Sequence, residues 1–372
     1  MKLSEDTAHQ ALLSVIEPET NKSLVELDMI RSIEVKSDTE VEVALRLMTP
    51  AYLHRDALRE QVRAALAKLG ATTVNVAMDE YEMTKRTIGP DDPCPNVANI
   101  LLVMSGKGGV GKSTVATNLA LALKRTGAKV GLLDADMYGP SIPTMLGVNG
   151  RPVSADGKKF LPLERFGLKL MSLGFLLEDA RQAVVWRGPM LQSALLQFLK
   201  DVEWGPLDYL VLDLPPGTGD ITLTISQKLR TTGAIVVTTP QEVALQDVFK
   251  SVSMAKKVGI DILGVVENES YFLCDGCDKR HELFGSGGGQ AVADFAEAPL
   301  LGQIPIELAV REWGDAGTPI VQAAPESPAA KVLRDVALRL AGRVTAHNLA
   351  GQAQTVPIDR SGGKNRHLPI AR

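Results

Sequence analysis

The sequence predicts an α/β protein: a doubly wound, mostly parallel sheet preceded by a small α+β domain. Three observations carry this prediction. From residue 98 onward, short and almost continuously apolar runs alternate with longer helix-periodic stretches, as strands covered on both faces of a parallel sheet require. Residues 1–85 follow a different, period-two pattern between two helical stretches. The length, 372 residues, makes two or three domains at roughly 150 residues each.

The first domain, residues 1–85, opens with Ala11, Leu12, Val15 and Ile16 at helical spacing. Ile33 and Val35, then Val41, Val43, Leu45 and Leu47, alternate. The break at Lys36–Thr39 reads as a hairpin turn. Residues 54–69 return to helix periodicity and stop at Gly70, a residue suited to a helix C-terminus. Thr73–Met78 completes the order αββαβ. Pro90, Pro93 and Pro95 then break regular structure, so residues 86–97 read as a linker.

Residues 98–345 hold the second domain. Its strands are expected at Ile100–Met104, Val130–Asp134, Tyr209–Asp213, Ala234–Thr238, Leu263–Glu267 and Leu300–Ile304. Right-handed crossovers between such strands place helices on both faces. The last helical stretch, Ala329–Val344, is amphipathic, with Val332, Leu333, Val336 and Leu340 on one stripe. Residues 346–372 are polar and aperiodic and are expected to be disordered.

Composition narrows the function. A hydrophobic content of 45% excludes a wholly disordered chain. Lys plus Arg is 40 against 44 Asp plus Glu, a near balance that argues against a general nucleic-acid partner. No run approaches the ~20 apolar residues of a spanning helix and no export signal opens the chain, so no membrane partner is expected. Three Cys cannot build a disulfide framework. The chain reads as cytoplasmic, in a reducing compartment.

The strongest motif is Gly106-Lys107-Gly108-Gly109-Val110-Gly111-Lys112-Ser113, followed by Thr114. It fits G-x-x-x-x-G-K-[ST] between an expected strand and an expected helix, the context of a phosphate-binding P-loop. Backbone N–H groups would wrap phosphate oxygens, helped by the helix N-terminus. Lys112 is expected at the β- and γ-phosphates of ATP and Ser113 on Mg²⁺. Two acidic strand ends lie where open α/β sheets bind ligands. Asp136 is the candidate to position or deprotonate an attacking water. Asp213 closes a Walker B pattern, Leu210-Val211-Leu212-Asp213, and is expected near Mg²⁺ through water. The Gly217 N–H is a candidate sensor of a γ-phosphate. Asp134 and Asp220 fit a structural role as well as a catalytic one.

Cys274-Asp275-Gly276-Cys277 aims two thiolates at one point. Tetrahedral Zn²⁺ and a 4Fe–4S cluster usually take four ligands. Two chains could pool their pairs across a symmetry axis, His281 could join, or the pair could be a redox dithiol. Cys94, alone in the linker, reads as a bystander.

The ordered set SGKGGVGKST, DADMYGPSIP, WRGPM, DLPPGTGD and ENESYFLCDGCDKRHELFGSGGG resembles the Mrp/ApbC family of iron–sulfur cluster carrier ATPases over about residues 95–340. The segment VIEPETNKSLVELDMI resembles the small domain fused to many bacterial members. The resemblance implies a homodimer sharing one labile 4Fe–4S cluster through Cys274 and Cys277 of both chains. It implies cluster-assembly scaffolds as donors, apo iron–sulfur proteins as recipients, and slow ATP hydrolysis coupled to loading or release. It also implies that Lys107 crosses to the partner's nucleotide and that Asn268 lies near the adenine. Two departures matter: Thr49-Pro50-Ala51-Tyr52-Leu53-His54 lacks the cysteine that relatives often carry there, and Asp275 and Asp278 stand where the family has proline and glycine in CPxCG. A positioning ATPase of the ParA/MinD type shares the same lysine-rich P-loop, with the amphipathic Ala329–Val344 as a surface helix. A zinc-stabilised nucleotide switch has the same ligand count.

Overall fold

A computed structural model describes residues 3–136, 139–154, 159–176, 188–217, 220–274, 276–277 and 279–354. Ser4 starts helix α1 (Glu5–Leu12): its Oγ accepts the Thr7 N–H at 3.2 Å, satisfying one of the free donors of a helix start. A short antiparallel pair follows, β1 (Ile16–Glu17) with β2 (Lys22–Ser23). β3 (Ile30–Val35) and β4 (Glu40–Leu47) are antiparallel, and the Lys36 N–H reaches Glu40 O at 2.9 Å across the expected turn. Helix α2 (Arg55–Ala67) returns the chain to β5 (Thr73–Tyr81), parallel to β4. Val41, Val43, Leu45 and Leu47, alternate residues of β4, enter one core with Leu12, Leu58, Val62 and Leu66. The period-two pattern is thus the inward face of this sheet.

The second unit runs β6 (Val97–Ser105), α3 (Lys112–Arg125), β7 (Val130–Asp134), α4 (Ile142–Met145), β8 (Leu163–Arg165), β9 (Leu168–Ser172), α5 (Gly188–Asp201), β10 (Leu207–Asp213), α6 (Asp220–Lys228) and β11 (Gly233–Thr238). It continues with α7 (Glu242–Lys257), β12 (Ile262–Leu273), β13 (Arg280–His281), α8 (Gly288–Ala296), β14 (Leu300–Ile306), α9 (Leu308–Asp315), α10 (Ile320–Ala323) and α11 (Pro328–Gln354). Among the described residues these strands form a sheet of nine, ordered β13-β12-β11-β6-β10-β7-β9-β8, with β14 also beside β12. Its pairings are parallel except β12–β13 and β8–β9. Every residue of β6, β7, β10 and β11 is buried, which is why these strands read as unbroken apolar runs. From β6 the chain winds toward β7 and β9 on one side, returns through β10, and continues to β11, β12 and β14 on the other. Ligand crevices open at the C-terminal strand ends where winding reverses.

One expectation needs correction. Residues 346–354 are helix, not disordered: α11 runs to Gln354. The buried Asn348 holds that turn, donating to Asn99 Oδ1 at 2.8 Å and Thr84 Oγ1 at 3.2 Å, and Leu349 packs on the first domain's core. Polar anchors leave no apolar stripe to read. Residues 355–372 lie outside the described residues. The apolar stripe of α11 covers the sheet and is not the surface helix of the positioning-ATPase alternative: Leu333, Val336 and Leu340 are buried in the core of the second domain. No helix among the described residues is long and apolar enough to cross a membrane.

Residues 86–96 carry no helix or strand yet are pinned. Buried Arg86 pairs with Asp92 and donates to Arg230 O at 2.9 Å and Cys94 O at 2.8 Å. Thr49 Oγ1 meets Tyr209 Oη at 3.0 Å, and Tyr81 Oη–H donates to Asp208 Oδ2 at 3.0 Å. These bonds dock the small domain at the N-terminal end of β10, opposite the end that carries Asp213.

Candidate functional site

The loop between β6 and α3 places the glycine-rich motif at the C-terminal edge of the sheet. Gly109 and Gly111 hold φ of +82° and +77°, where a side chain is strained. A Cβ on Gly111 would lie 2.1 Å from Asn268 Nδ2, and one on Gly106 2.2 Å from the Val248 backbone nitrogen. The loop is thus clamped between β12 and α7. Asn268 Nδ2 donates to Val110 O at 3.0 Å, so Asn268 supports the phosphate loop from below. Gly111 is the N-cap of α3 and brings no side-chain cap, which leaves the first N–H groups of α3 available to an anion. Gly108 and Lys107 are exposed, and Ser105 Oγ fixes the Lys107 carbonyl at 3.0 Å.

Lys112 and Ser113 open α3 and converge on Asp213, the last residue of β10. Lys112 Nζ is 2.6 Å from Asp213 Oδ1 and 3.5 Å from Asp136 Oδ2. Ser113 Oγ–H donates to Asp213 Oδ2 at 2.5 Å. Asp213 and Asp134 sit at the same level because β10 and β7 pair in register, Asp213 against Asp134. Burial pushes the Asp134 carboxyl up to about 8, and the Asp213 charge adds to this. Burial also raises Asp213, against the pull of the Lys112 ammonium. Asp134 Oδ2 accepts from Ser172 Oγ at 2.9 Å and Oδ1 from the Asp136 N–H at 3.1 Å, which assigns it to holding the Asp136 turn. Asp136 Oδ1 is buried and has no hydrogen-bond partner among the described residues. Lys112 therefore faces two carboxylates, Asp213 and Asp136, whose oxygens, with Ser113 Oγ, are of the hard donor type that Mg²⁺ takes; among the described residues no three acidic, histidine or cysteine side chains form a metal-binding group.

Gly217 departs from its expected role. Its φ of +91° does call for glycine, but its N–H is donated to Ser105 O at 2.8 Å. It braces the start of the P-loop and is not directed at a phosphate.

Cys274 and Cys277 sit at the tip of the β12–β13 hairpin, whose stem is the two pairs Phe272–His281 and Leu273–Arg280. The Cys274 N–H donates to Lys279 O at 3.0 Å and the Cys277 N–H to Cys274 O at 3.3 Å. Cys274 is half-buried and Cys277 exposed. Among the described residues, His281 does not complete a three-ligand metal group with them. Cys94 is buried, its thiol bonded to Leu199 O at 3.0 Å and pushed up to about 12 by burial, the environment of a packing residue. Asp275 and Asp278, and Met137, Tyr138, Trp186 and Arg187 of the other motifs, lie outside the described residues, as does the side chain of Asp220.

Sequence reading missed two features. Glu267, fully buried on β12, accepts from Ser270 Oγ at 2.5 Å, from Gln303 Nε2 at 2.7 Å and from the Gly289 N–H, tying the strand to α8 and β14. A cavity of about 620 Å³ opens beside the P-loop. It reaches from Gly111 and Thr114 past Asn268 to Phe272, Leu283 and Phe284. Its walls come from segments far apart in sequence, so no local pattern announces it.

Comparison with known proteins identifies relatives of both units. The family model described as NUBPL iron-transfer P-loop NTPase matches residues 96–341, and that described as iron-sulfur cluster assembly protein matches residues 5–77. An iron-sulfur cluster carrier protein of Synechocystis is 46% identical over 349 residues, 92% of this chain and 98% of the relative. One of Escherichia coli K12 is 44% identical over 331 residues, 88% of this chain and 89% of the relative. Among solved structures, a nucleotide-binding protein of Archaeoglobus fulgidus in complex with ADP is 40% identical, with a TM-score of 0.53, covering 60% of this chain and 87% of that one.

Proposed function

Because the chain belongs to the NUBPL iron-transfer P-loop NTPase family and carries an iron–sulfur cluster assembly domain before it, we propose that it is an ATP-dependent iron–sulfur cluster carrier. The observation that carries this reading is that one strand, β12, serves both sites: Asn268 on it holds the P-loop, and Cys274 follows its last residue.

The N-terminal N–H groups of α3 and the loop backbone bind the phosphates. Lys112 neutralises the β- and γ-oxygens, and to reach them it exchanges its ion pair with Asp213 for phosphate. Ser113 and Asp213 would hold Mg²⁺, which supplies charge neutralisation of the phosphates. Asp136, with a carboxylate oxygen unpartnered, orients the attacking water in slow hydrolysis. Lys107, exposed at the loop, reaches across to the nucleotide of a second chain. Asn268 and the adjoining cavity take the adenine.

The cluster is cargo. Cys274 and Cys277 give two thiolates, and a 4Fe–4S cluster takes four, so two copies of the chain share one cluster on a symmetry axis. The exposure of Cys277 lets thiolates of an apo-protein replace these ligands, which is the chemistry of transfer. A reducing, cytoplasmic setting keeps both thiols available. Cluster-assembly scaffolds load the carrier.

Anaerobic reconstitution with ferrous iron and sulfide tests the reading. Wild type should take up about two iron and two sulfide per chain and migrate as a dimer. The double variant Cys274→Ala with Cys277→Ala should take up neither. A full iron complement in that variant, or zinc in place of iron in wild type purified without oxygen, contradicts it.

A further inference from the structure

The nucleotide reading leaves open how the base end of the site meets the cluster end. We propose that the purine base packs directly against the thiol-bearing hairpin, so that Phe272, Leu283 and Phe284 are positioning residues that couple base occupancy to the placement of Cys274 and Cys277. This rests on the nucleotide site described above and extends it.

The cavity beside the P-loop is continuous from Gly111 and Thr114 to these three side chains. Its phosphate end is therefore the start of α3, and Phe272, Leu283 and Phe284 of the hairpin line it together with β14 and α9. Phe272 belongs to the stem, paired with His281, and stands two residues before Cys274. Leu283 and Phe284 leave the stem on the other side, just past His281. Both sides of the stem thus contribute apolar surface to one pocket. Leu283 is 59% exposed and Phe284 41% exposed, apolar area that a flat heteroaromatic ring would cover.

The two sides of the stem are held differently. Tyr271 and Phe272 of β12 also pair with Pro305 and Ile306 of β14, whereas β13 lies at the edge of the sheet and joins β12 through two residue pairs. A ring wedged under Phe272, Leu283 and Phe284 adds packing at this edge and narrows the positions open to both thiols. The competing route runs through Asn268, which touches Val110 O in the P-loop on the same strand. That route starts at the P-loop carbonyl, so phosphate in the loop engages it without the ring. The base route requires the ring.

Hydrogen exchange on the cluster-free full chain separates the two routes, with Mg–ADP and Mg–pyrophosphate as probes at saturation measured by calorimetry. ADP should slow amide exchange across residues 272–284 by about tenfold, and pyrophosphate by less than about twofold. The exposed pair Leu283→Ala with Phe284→Ala should keep wild-type pyrophosphate affinity and lose the ADP effect. Equal protection by both probes, or ADP bound without protection, overturns the proposal. An absence of ADP binding in the calorimeter would instead sink the nucleotide site itself.

Discussion

Lys112 is the residue on which the nucleotide site balances. Its side chain is 6% exposed, and its ammonium is shared between Asp213 and Asp136. Losing it removes a charge-assisted contact to phosphate and leaves Asp213 without its counter-ion. Lys112→Ala should weaken nucleotide binding by at least about 100-fold, read by calorimetry; wild-type affinity in the variant would refute the site. Asp134 makes a second prediction. Its folded carboxyl titrates at about 8 because of burial and the Asp213 charge. From its unfolded value up to there, the folded chain holds a proton that the unfolded chain has released. Stability therefore falls as pH rises through this window. Asp134→Asn, neutral throughout, should gain on wild type by up to about 1 kcal/mol per pH unit between roughly pH 5 and 7. A difference in urea unfolding that is flat with pH would contradict this.

At the scale of elements, β12 is the connecting piece. It bears Asn268 under the P-loop, Glu267 toward α8 and β14, and the thiols at its end. Gly111→Ala places a methyl on Asn268 Nδ2 at a φ of +77°. It should cost about 1–3 kcal/mol in urea unfolding. Adding Asn268→Ala should recover part of that cost, because the clash goes and the backbone strain stays; no recovery would place the clash elsewhere. The apolar strands β6, β7, β10 and β11 were readable because both their faces are buried. β9 was not, because Lys169 interrupts Leu168 and Leu170 and satisfies itself on Trp204 O. The motif glycines and acids were legible by spacing. The Gly217 bond to Ser105 and the cavity wall at Phe284 were not, since both depend on contacts between distant segments.

For the whole molecule, the small domain is docked through polar contacts as well as core. Arg86, 5% exposed, pins the 86–96 segment to the second domain through Asp92, Cys94 and Arg230. Arg86→Ala strands the buried Asp92 charge, which costs about 3–5 kcal/mol, and should lower the unfolding midpoint in calorimetry. An unshifted transition would mean that this contact does not hold the segment. The small domain also meets β10 at the end opposite Asp213. In the proposed function, nucleotide and thiol sites act as one device. Transfer of the reconstituted cluster to an apo iron–sulfur protein, followed by recovery of the acceptor's activity, tests it most directly. Mg–ATP should change the transfer rate several-fold in wild type and leave Lys112→Ala unmoved. A wild-type rate indifferent to Mg–ATP would contradict the account.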